Sequence, residues 1–239
     1  MPAKPNALLP LIAALGLLIR PAGAQAGHDP AHSPFRDLRY SQFVSLSAGR
    51  AWGAGGTIGL GPHDGTIAWL RQEFLADRAV SIGLAGGVAR LDRNIATPSS
   101  VTKPITGPFK HTVYFGEGTL QLNLTGGKTW HSIAPYVNTG IGFAFGQKLP
   151  ADSSGYKFST KFYIAPSIGA RVFLSRRMFL RVEARAVFSS LSYPATYRSL
   201  DPDGAGPASP ILLGQALKEW APLPMIHAGF GYAFRNPFF

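Results

Sequence analysis

Apolar residues alternate with polar or small residues along most of the chain, and a period of two places successive side chains on opposite faces of a β-strand. Residues 180–188 are the clearest case, with one apolar and one charged face. The apolar positions are Leu180, Val182, Ala184, Ala186 and Phe188, and the charged positions are Arg181, Glu183 and Arg185. Helix signals are scarce, so the pattern predicts an all-β protein.

Segments of this kind recur along the chain and are separated by turn residues. We predict eight strands, at Tyr40–Trp52, Gly65–Leu75, Ala79–Leu91, Thr112–Thr125, Ser132–Gln147, Tyr156–Leu174, Met178–Tyr193 and Pro222–Phe234. Long and short connections alternate, which is typical of an antiparallel barrel with one rim of loops and one of tight turns. A further extended segment within 52–61 would give ten strands instead. Pro166 lies inside the sixth predicted strand and predicts a bulge there, because proline cannot donate to the ladder.

The two faces of these strands distinguish a water-soluble barrel from a transmembrane one. In 133–146, bulky residues such as Ile141 and Phe143 oppose a face rich in alanine and glycine, including Gly140 and Gly142. Small residues suit a narrow lumen and not a water-facing surface. The fold class expected is therefore an eight-stranded antiparallel transmembrane up-and-down β-barrel, and a soluble lipocalin-like barrel is the alternative. We expect aromatic side chains near strand ends to form an interfacial girdle: Trp69, Trp130, Tyr163, Phe179 and Tyr193.

Composition agrees with this interpretation. Only 15% of the 239 residues are charged and 46% are hydrophobic, whereas a soluble domain has about 25% charged residues. Lysine and arginine outnumber aspartate and glutamate by 23 to 12, a formal charge of +11, and cysteine is absent. The missing cysteines exclude disulfides, thiol catalysis and cysteine-based zinc sites.

The first residues have the form of an export signal. Lys4 precedes an uncharged run from Ala7 to Ile19, and Ala22-Gly23-Ala24 matches a small-x-small cleavage site. We expect a signal peptide at 1–24, cleaved after Ala24, then an irregular segment at 25–38 and a barrel at 39–239. A membrane anchor would need about 20 apolar residues, more than this run contains.

The last strand reads Ile226-His227-Ala228-Gly229-Phe230-Gly231-Tyr232-Ala233-Phe234. Together with the signal peptide and the eight alternating strands, it resembles the small outer-membrane β-barrel proteins of OmpA/OmpX type, over roughly Arg39 to Phe239. The resemblance implies an outer-membrane location in a Gram-negative-type cell envelope and a C-terminal aromatic read by the barrel-assembly machinery. The residues that match this assembly signal are Phe230, Tyr232, Phe234 and Phe239. Asn236-Pro237 departs from the family pattern just before the end.

Strand parity places several charged residues inside the barrel. They are Glu117, Lys161, Arg171, Arg181, Glu183 and Arg185, and Arg71 with Glu73 can join them. Charges in such a narrow interior should pair, because an unpaired buried ion costs several kcal/mol. We therefore expect an ionic plug with Glu183 as its central acceptor. A small channel with anion preference, from two excess positive charges, is the alternative.

Catalytic and cofactor motifs are missing from the sequence. It contains neither G-x-S-x-G nor H-E-x-x-H, and no histidine is followed two residues later by serine. His63-Asp64 reads as a turn, and His28 with His32 makes a weak metal site. We expect no catalytic residues, no metal, no cofactor and no nucleic-acid partner.

The expected function is a non-enzymatic structural or surface-interaction role through long outward loops. A passive channel is the alternative, and a lipid A-modifying enzyme is less favoured. We expect outer-membrane lipids and lipopolysaccharide as partners, contacted by Arg90, Arg93 and Lys103. In the last long loop, residues 211–220 form either a short helix over the mouth or an extension of the final strand.

Overall fold

The computed structural model describes residues 33–96, 105–150, 152, 155–197 and 216–235. Ten strands lie in these ranges: β1 Phe35–Asp37, β2 Gln42–Ala51, β3 Gly65–Leu75, β4 Val80–Ala96, β5 Ile105–Asn123, β6 Lys128–Trp130, β7 Ile133–Gly146, β8 Thr160–Phe173, β9 Met178–Ser192 and β10 Lys218–Phe234. One turn of 3-10 helix follows β9 at Ala195–Tyr197. Within these described ranges no helix is long and apolar enough to cross a bilayer.

Eight of the strands form a closed antiparallel ring in the order β2-β3-β4-β5-β7-β8-β9-β10. The ring closes where β10 pairs with β2, from Met225 opposite Ala51 to Phe234 opposite Gln42. The predicted eight-stranded barrel is thus confirmed. The two short strands β1 and β6 pair with each other beside the ring, and residues 52–61 contain no strand, so the alternative of a ten-stranded barrel is wrong.

Several strand ends differ from the prediction. The β4–β5 hairpin runs on to Ala96 and Ile105, β8 begins only at Thr160, and β10 begins as early as Lys218. Residues 218–220 therefore extend the last strand, while 211–215 lie outside the described residues. β1 also occupies part of the segment that we expected to be irregular.

Pro166 does not produce the expected bulge. The β8–β9 register is the same on both sides of it, with Ile164 opposite Phe188 and Ser167 opposite Arg185. Only the pairs of Ala165 and Pro166 with β9 are missing, because proline lacks the N–H that would donate a hydrogen bond to that strand. The wall therefore loses a hydrogen bond and keeps its register. A shift of register occurs instead between Arg93 and Ile95, opposite β5.

The outer face of the ring is a continuous apolar surface. Its exposed side chains include Leu46, Leu70, Ile82, Leu84, Leu120, Ile141, Phe143, Ile164, Ile168, Val182 and Phe230. Bulky residues on the outside and charged residues on the inside are the arrangement of a transmembrane barrel, and a soluble barrel reverses both. The strands of 10 to 19 residues are also long enough to cross a bilayer, which takes about 9–11 residues.

The expected aromatic girdle is mostly wrong. Among the five predicted residues only Trp130 is exposed; Trp69, Tyr163, Phe179 and Tyr193 are buried. Parity turns the first three toward the lumen, and Tyr193 packs beneath the loops. The prediction was wrong about the side of the wall on which these four side chains lie.

Glycines on the inner face make room for lumen side chains. A Cβ added at Gly142 would lie 2.0 Å from Gly116 O, and one added at Gly231 would lie 2.1 Å from the ring of Phe179. An added Cβ at Gly116 or Gly118, on the outer face, would meet nothing within 4 Å. The inner glycines are therefore required by packing inside the barrel.

Candidate functional site: the charged lumen

The charged residues of the lumen come from five strands. Arg71 and Glu73 lie on β3, Glu117 on β5, Arg171 on β8, Arg181, Glu183 and Arg185 on β9, and His227 on β10. Strand alternation points all of them inward, and each is at most 5% exposed. They form one cluster, which we call the ionic layer.

Glu183 contacts more of the cluster than either of the other two glutamates. Arg71 donates to both of its carboxylate oxygens, at 2.9 and 3.0 Å. Arg181 donates to Oε2 through Nη2 and Nε at 2.9 and 3.2 Å, and the Tyr136 hydroxyl donates to the same oxygen at 2.9 Å. His227 Nε2 lies 3.6 Å from Oε1. The geometry is that of a central acceptor.

Glu73 and Glu117 each hold a smaller group. Arg181 donates to both oxygens of Glu73, at 2.7 and 3.2 Å, and Arg171 donates to Oε2 at 2.8 Å. Glu117 accepts from Arg185 at 2.5 Å and from the Tyr163 hydroxyl at 2.8 Å. Arg71 links the groups, since it lies 3.8 Å from Glu73 and 3.6 Å from Glu117.

Aromatic rings cover the guanidinium faces that carboxylates leave open. The Arg171 guanidinium lies 4.3 Å from the centroid of the Phe43 ring, Arg181 lies 4.7 Å from Tyr136, and Arg185 lies 4.5 Å from Trp69. Planar cations over ring faces are attracted electrostatically, and more strongly where water is excluded. The rings therefore help to hold the arginines in a poorly solvated interior.

Lys161 does not join the ionic layer. It faces the lumen near the long-loop end of β8, opposite Ala144, and is half-buried without an ion pair in the described part of the chain. The cluster thus holds four guanidinium groups against three carboxylates. Its excess is one positive charge with His227 neutral, and not the two expected when Lys161 was included.

Above the ionic layer, toward the long loops, the lumen is filled by apolar side chains. Trp69 packs on Phe115 with ring centroids 5.4 Å apart, and Phe115 on Tyr163 at 5.7 Å. Leu60 and Phe158 come from the loops and join the same buried cluster. Parts of these loops therefore fold into the barrel mouth.

A buried ion pair attaches one loop to the apolar side chains that fill the barrel mouth. Arg93 donates to Asp152 and, through Nε, to Leu60 O at 3.2 Å, and its guanidinium lies 4.5 Å from the centroid of the Tyr156 ring. Tyr156 in turn stacks on Tyr193, with centroids 5.8 Å apart. Burial raises the pKa of both tyrosine hydroxyls, so both stay neutral. Arg93 therefore faces inward, and its predicted contact with lipopolysaccharide is wrong.

Sequence reasoning missed part of the network. Tyr136, Tyr163 and His227 had no assigned role in it, although their alternation with apolar residues already placed two of them, Tyr136 and His227, on the inner face. Ser47 Oγ lies 3.0 Å from His227 Nδ1, and His227 also faces Glu183. The three side chains are therefore neighbours in space in the order serine, histidine, carboxylate, as in a hydrolase triad. Ser47 is only 5% exposed and Glu183 is saturated by arginines. The Ser47 hydroxyl and the His227 ring therefore lie in the packed interior of the barrel.

The other predicted residues have simpler surroundings. Asp64 accepts from Gly53 N at 3.2 Å, and His63 Nδ1 lies 3.1 Å from Gly61 O, as in a turn. The part of the chain that the structure describes holds no group of three potential metal ligands among His, Asp and Glu. Phe230 and Tyr232 lie exposed on the outer face of β10, with Phe234 half-exposed. Ala22, Ala24, His28, His32, Lys103 and Phe239 lie outside the described residues.

No protein-family model and no curated protein matches the sequence. Solved structures do. OprG, an outer membrane protein from Pseudomonas aeruginosa, is 14% identical, with 84% of this chain and 99% of that chain covered and a TM-score of 0.48. Neisserial surface protein A is 11% identical, with 81% of this chain and 97% of that chain covered and a TM-score of 0.49.

Outer Membrane Protein W of E. coli is 16% identical over 82% of this chain and 98% of that chain, with a TM-score of 0.43. Two of these three proteins are outer membrane proteins by name. The likeness at these identities is one of fold.

Proposed function

We propose that this protein is a non-conducting, non-enzymatic β-barrel of the outer membrane, with its short turns toward the periplasm and its loops outward. Its role is structural or in surface interaction. The ionic layer acts as a plug that holds the eight strands in register, and the loops provide the contact surface.

The observation that carries this proposal is the filled lumen. The four arginines and three glutamates of the ionic layer are nearly fully buried and bonded to one another across the barrel. An apolar layer containing Trp69 and Phe115 follows on the loop side. An ion would have to break charge-assisted hydrogen bonds and then cross a dry constriction, and both steps oppose conduction.

Planar-bilayer recording of the folded protein tests the proposal. We expect the inserted wild-type barrel to show no discrete current steps. Insertion is checked separately by a heat-dependent shift on a denaturing gel. Steps with an anion-selective reversal potential in a salt gradient would favour the channel and overturn the plug. Release of fatty acid from lipid A would identify an enzyme instead.

Outer-face cations near the long-loop rim support lipopolysaccharide as a partner. Arg50, Thr66, Arg90 and Thr112 stand side by side on consecutive strands, β2 to β5. Arg50 and Arg90 are exposed on the outside of the wall, two strands or about 10 Å apart. This spacing suits neighbouring phosphate groups on a membrane surface. Arg50, which is exposed, replaces the buried Arg93 in the expected contact with lipopolysaccharide.

Lipopolysaccharide binding is measured with the variant R50Q/R90Q and a control of equal charge loss, R78Q/R235Q, whose two exposed arginines lie at the opposite rim. We expect weaker binding in the first variant alone. Equal binding by both variants would refute the contact.

Recognition of Phe230, Tyr232 and Phe234 by the barrel-assembly machinery belongs to the same proposal. It is tested by the membrane insertion of variants in which these aromatics are replaced one at a time.

A further inference from the structure

The chain crosses the barrel mouth at the rim of short turns before it enters the ring. β1 is held against β6 by the pairs Phe35 with Trp130 and Asp37 with Lys128, and Leu38 N donates to Gly127 O at 2.8 Å. β6 lies in the connection between β5 and β7, and β2 lies on the other side of the ring. Residues 38–41 therefore span the opening.

This span encloses a cavity against the turn between β8 and β9. Its volume is about 670 Å³, within the range of about 300–1,000 Å³ that is usual for small-molecule sites. Phe43, Phe173 and Ala233 line it with apolar surface, and Arg36, Arg39 and Arg176 line it with positive charge. We call it the rim cavity.

The rim cavity has an excess of two positive charges, because Asp37 is the carboxylate set against its three arginines. The three guanidinium groups are exposed and make no side-chain hydrogen bond or ion pair within the described ranges. Further cations surround it on the same rim, and these are Arg78, Lys128, Arg177 and Arg235, with Asp77 as the acidic residue among them. Such a field raises the local concentration of anions.

Tyr40 lines the cavity, and its hydroxyl is affected by these positive charges. Arg177 Nε donates to its hydroxyl oxygen at 3.1 Å. This hydrogen bond, together with the positive charges of Arg177, Arg235 and Arg176, lowers the pKa of Tyr40. The positive potential therefore extends to a group that lines the cavity.

We propose that the rim cavity binds an organic phosphomonoester, its phosphate bonded by Arg36, Arg39 and Arg176 and its organic part packed on Phe43 and Phe173. Arginine forks match phosphate oxygens in pairs. A phosphomonoester carries a charge of about −1.5 to −2 at neutral pH, which balances the excess of two. A monocarboxylate would balance half of it, and inorganic phosphate would leave the aromatic surface uncovered.

The binding experiment uses the folded protein in phosphatidylcholine nanodiscs, with phenyl phosphate as the probe and titration calorimetry as the measurement. The variant R36Q/R39Q/R176Q removes the three cavity cations. The control variant K148Q/K157Q/K218Q removes three exposed cations on the long-loop side of the barrel, away from the rim cavity, and has the same net charge. The heat-dependent gel shift verifies that both variants fold.

We expect the cavity variant to bind phenyl phosphate at least about tenfold more weakly than the wild type. The control should stay within about twofold. Inorganic phosphate should bind the wild type more weakly than phenyl phosphate, and F173A should reduce this difference. Equal loss in the two triple variants, or no binding of phenyl phosphate to the wild type, would overturn the proposal.

The phosphomonoester can come from a soluble molecule or from a lipid headgroup, and a second arm separates these sources. Phosphatidic acid is added to the nanodiscs and the titration is repeated on the wild type. A fall in the apparent affinity for phenyl phosphate shows that the lipid reaches the cavity. An unchanged affinity shows that the site takes soluble phosphomonoesters. Both results support the site and identify its ligand source.

Discussion

Replacement of Glu183 by alanine is the most direct test of the ionic plug. The substitution removes five hydrogen bonds, two from Arg71, two from Arg181 and one from Tyr136. It also raises the net charge of the ionic layer from +1 to +2, because four guanidinium groups then face two carboxylates. Removal of one partner from a buried ion pair costs about 3–5 kcal/mol, since the remaining charge is left uncompensated. We expect a loss of that size in the free energy of unfolding.

Reversible unfolding in urea, with the barrel in phospholipid vesicles, provides the measurement. The four tryptophans report it by fluorescence, and Trp69 lies against Arg185 in the lumen. Asp77→Ala is the matched control, because this carboxylate is exposed in a short turn and its loss should change stability by about 0.5 kcal/mol at most.

A double variant separates the ion pair from simple loss of volume. R71A/E183A removes both partners, so it should be less destabilised than the sum of the two single variants. An unchanged free energy of unfolding in Glu183→Ala would refute the plug. Strict additivity in the double variant would show that Arg71 and Glu183 act independently, against the geometry of their paired bonds.

Three other substitutions test the packing of the barrel. Gly231→Ala should cost about 1–3 kcal/mol in urea unfolding, because its methyl group would lie 2.1 Å from a lumen aromatic ring; an equal cost in Gly118→Ala, whose Cβ meets nothing within 4 Å, would contradict this. Pro166→Ala supplies the missing N–H opposite Ala186 and should stabilise the wall by about 0.5–1.5 kcal/mol, and a loss of stability in the same assay would disprove the account of the interrupted ladder. Arg93→Ala should free the loop that its ion pair holds, measured as faster proteolysis between β7 and β8; an unchanged cleavage rate would show that the loop is held by other contacts.

The ring itself was predictable from the chain, and the details of its rims were not. Alternation in segments such as 133–146 and 180–188 is a local property, and it assigned their inner and outer faces correctly. Strand ends were less accurate, because hydrogen bonds to a neighbour extend or shorten a strand regardless of its own pattern. Lys218 illustrates this, since it pairs with Ser192 at the end of β9. The expected bulge does not form at Pro166, because the residue pairs on either side of it hold β8 and β9 in register.

The ionic layer was predictable in its members and not in its bonds. Parity alone placed Glu117 and Glu183 inward and allowed Arg71 and Glu73 to join them. It also named Lys161, which stands nearer the loop rim than the rest, and the height of a residue along the barrel depends on the stagger of the strands. Parity likewise could not show that Trp69 would cover Arg185.

The sequence by itself determined the strand-rich fold, the number of long strands and the side of the wall on which most residues lie, because these follow from a two-residue period and the spacing of turns. Only the tertiary structure decided which charges meet. Arg181 and Glu73 are 108 positions apart in the chain and 2.7 Å apart in the lumen. Ring closure and strand register bring them together, and both are properties of the whole barrel that no single segment contains.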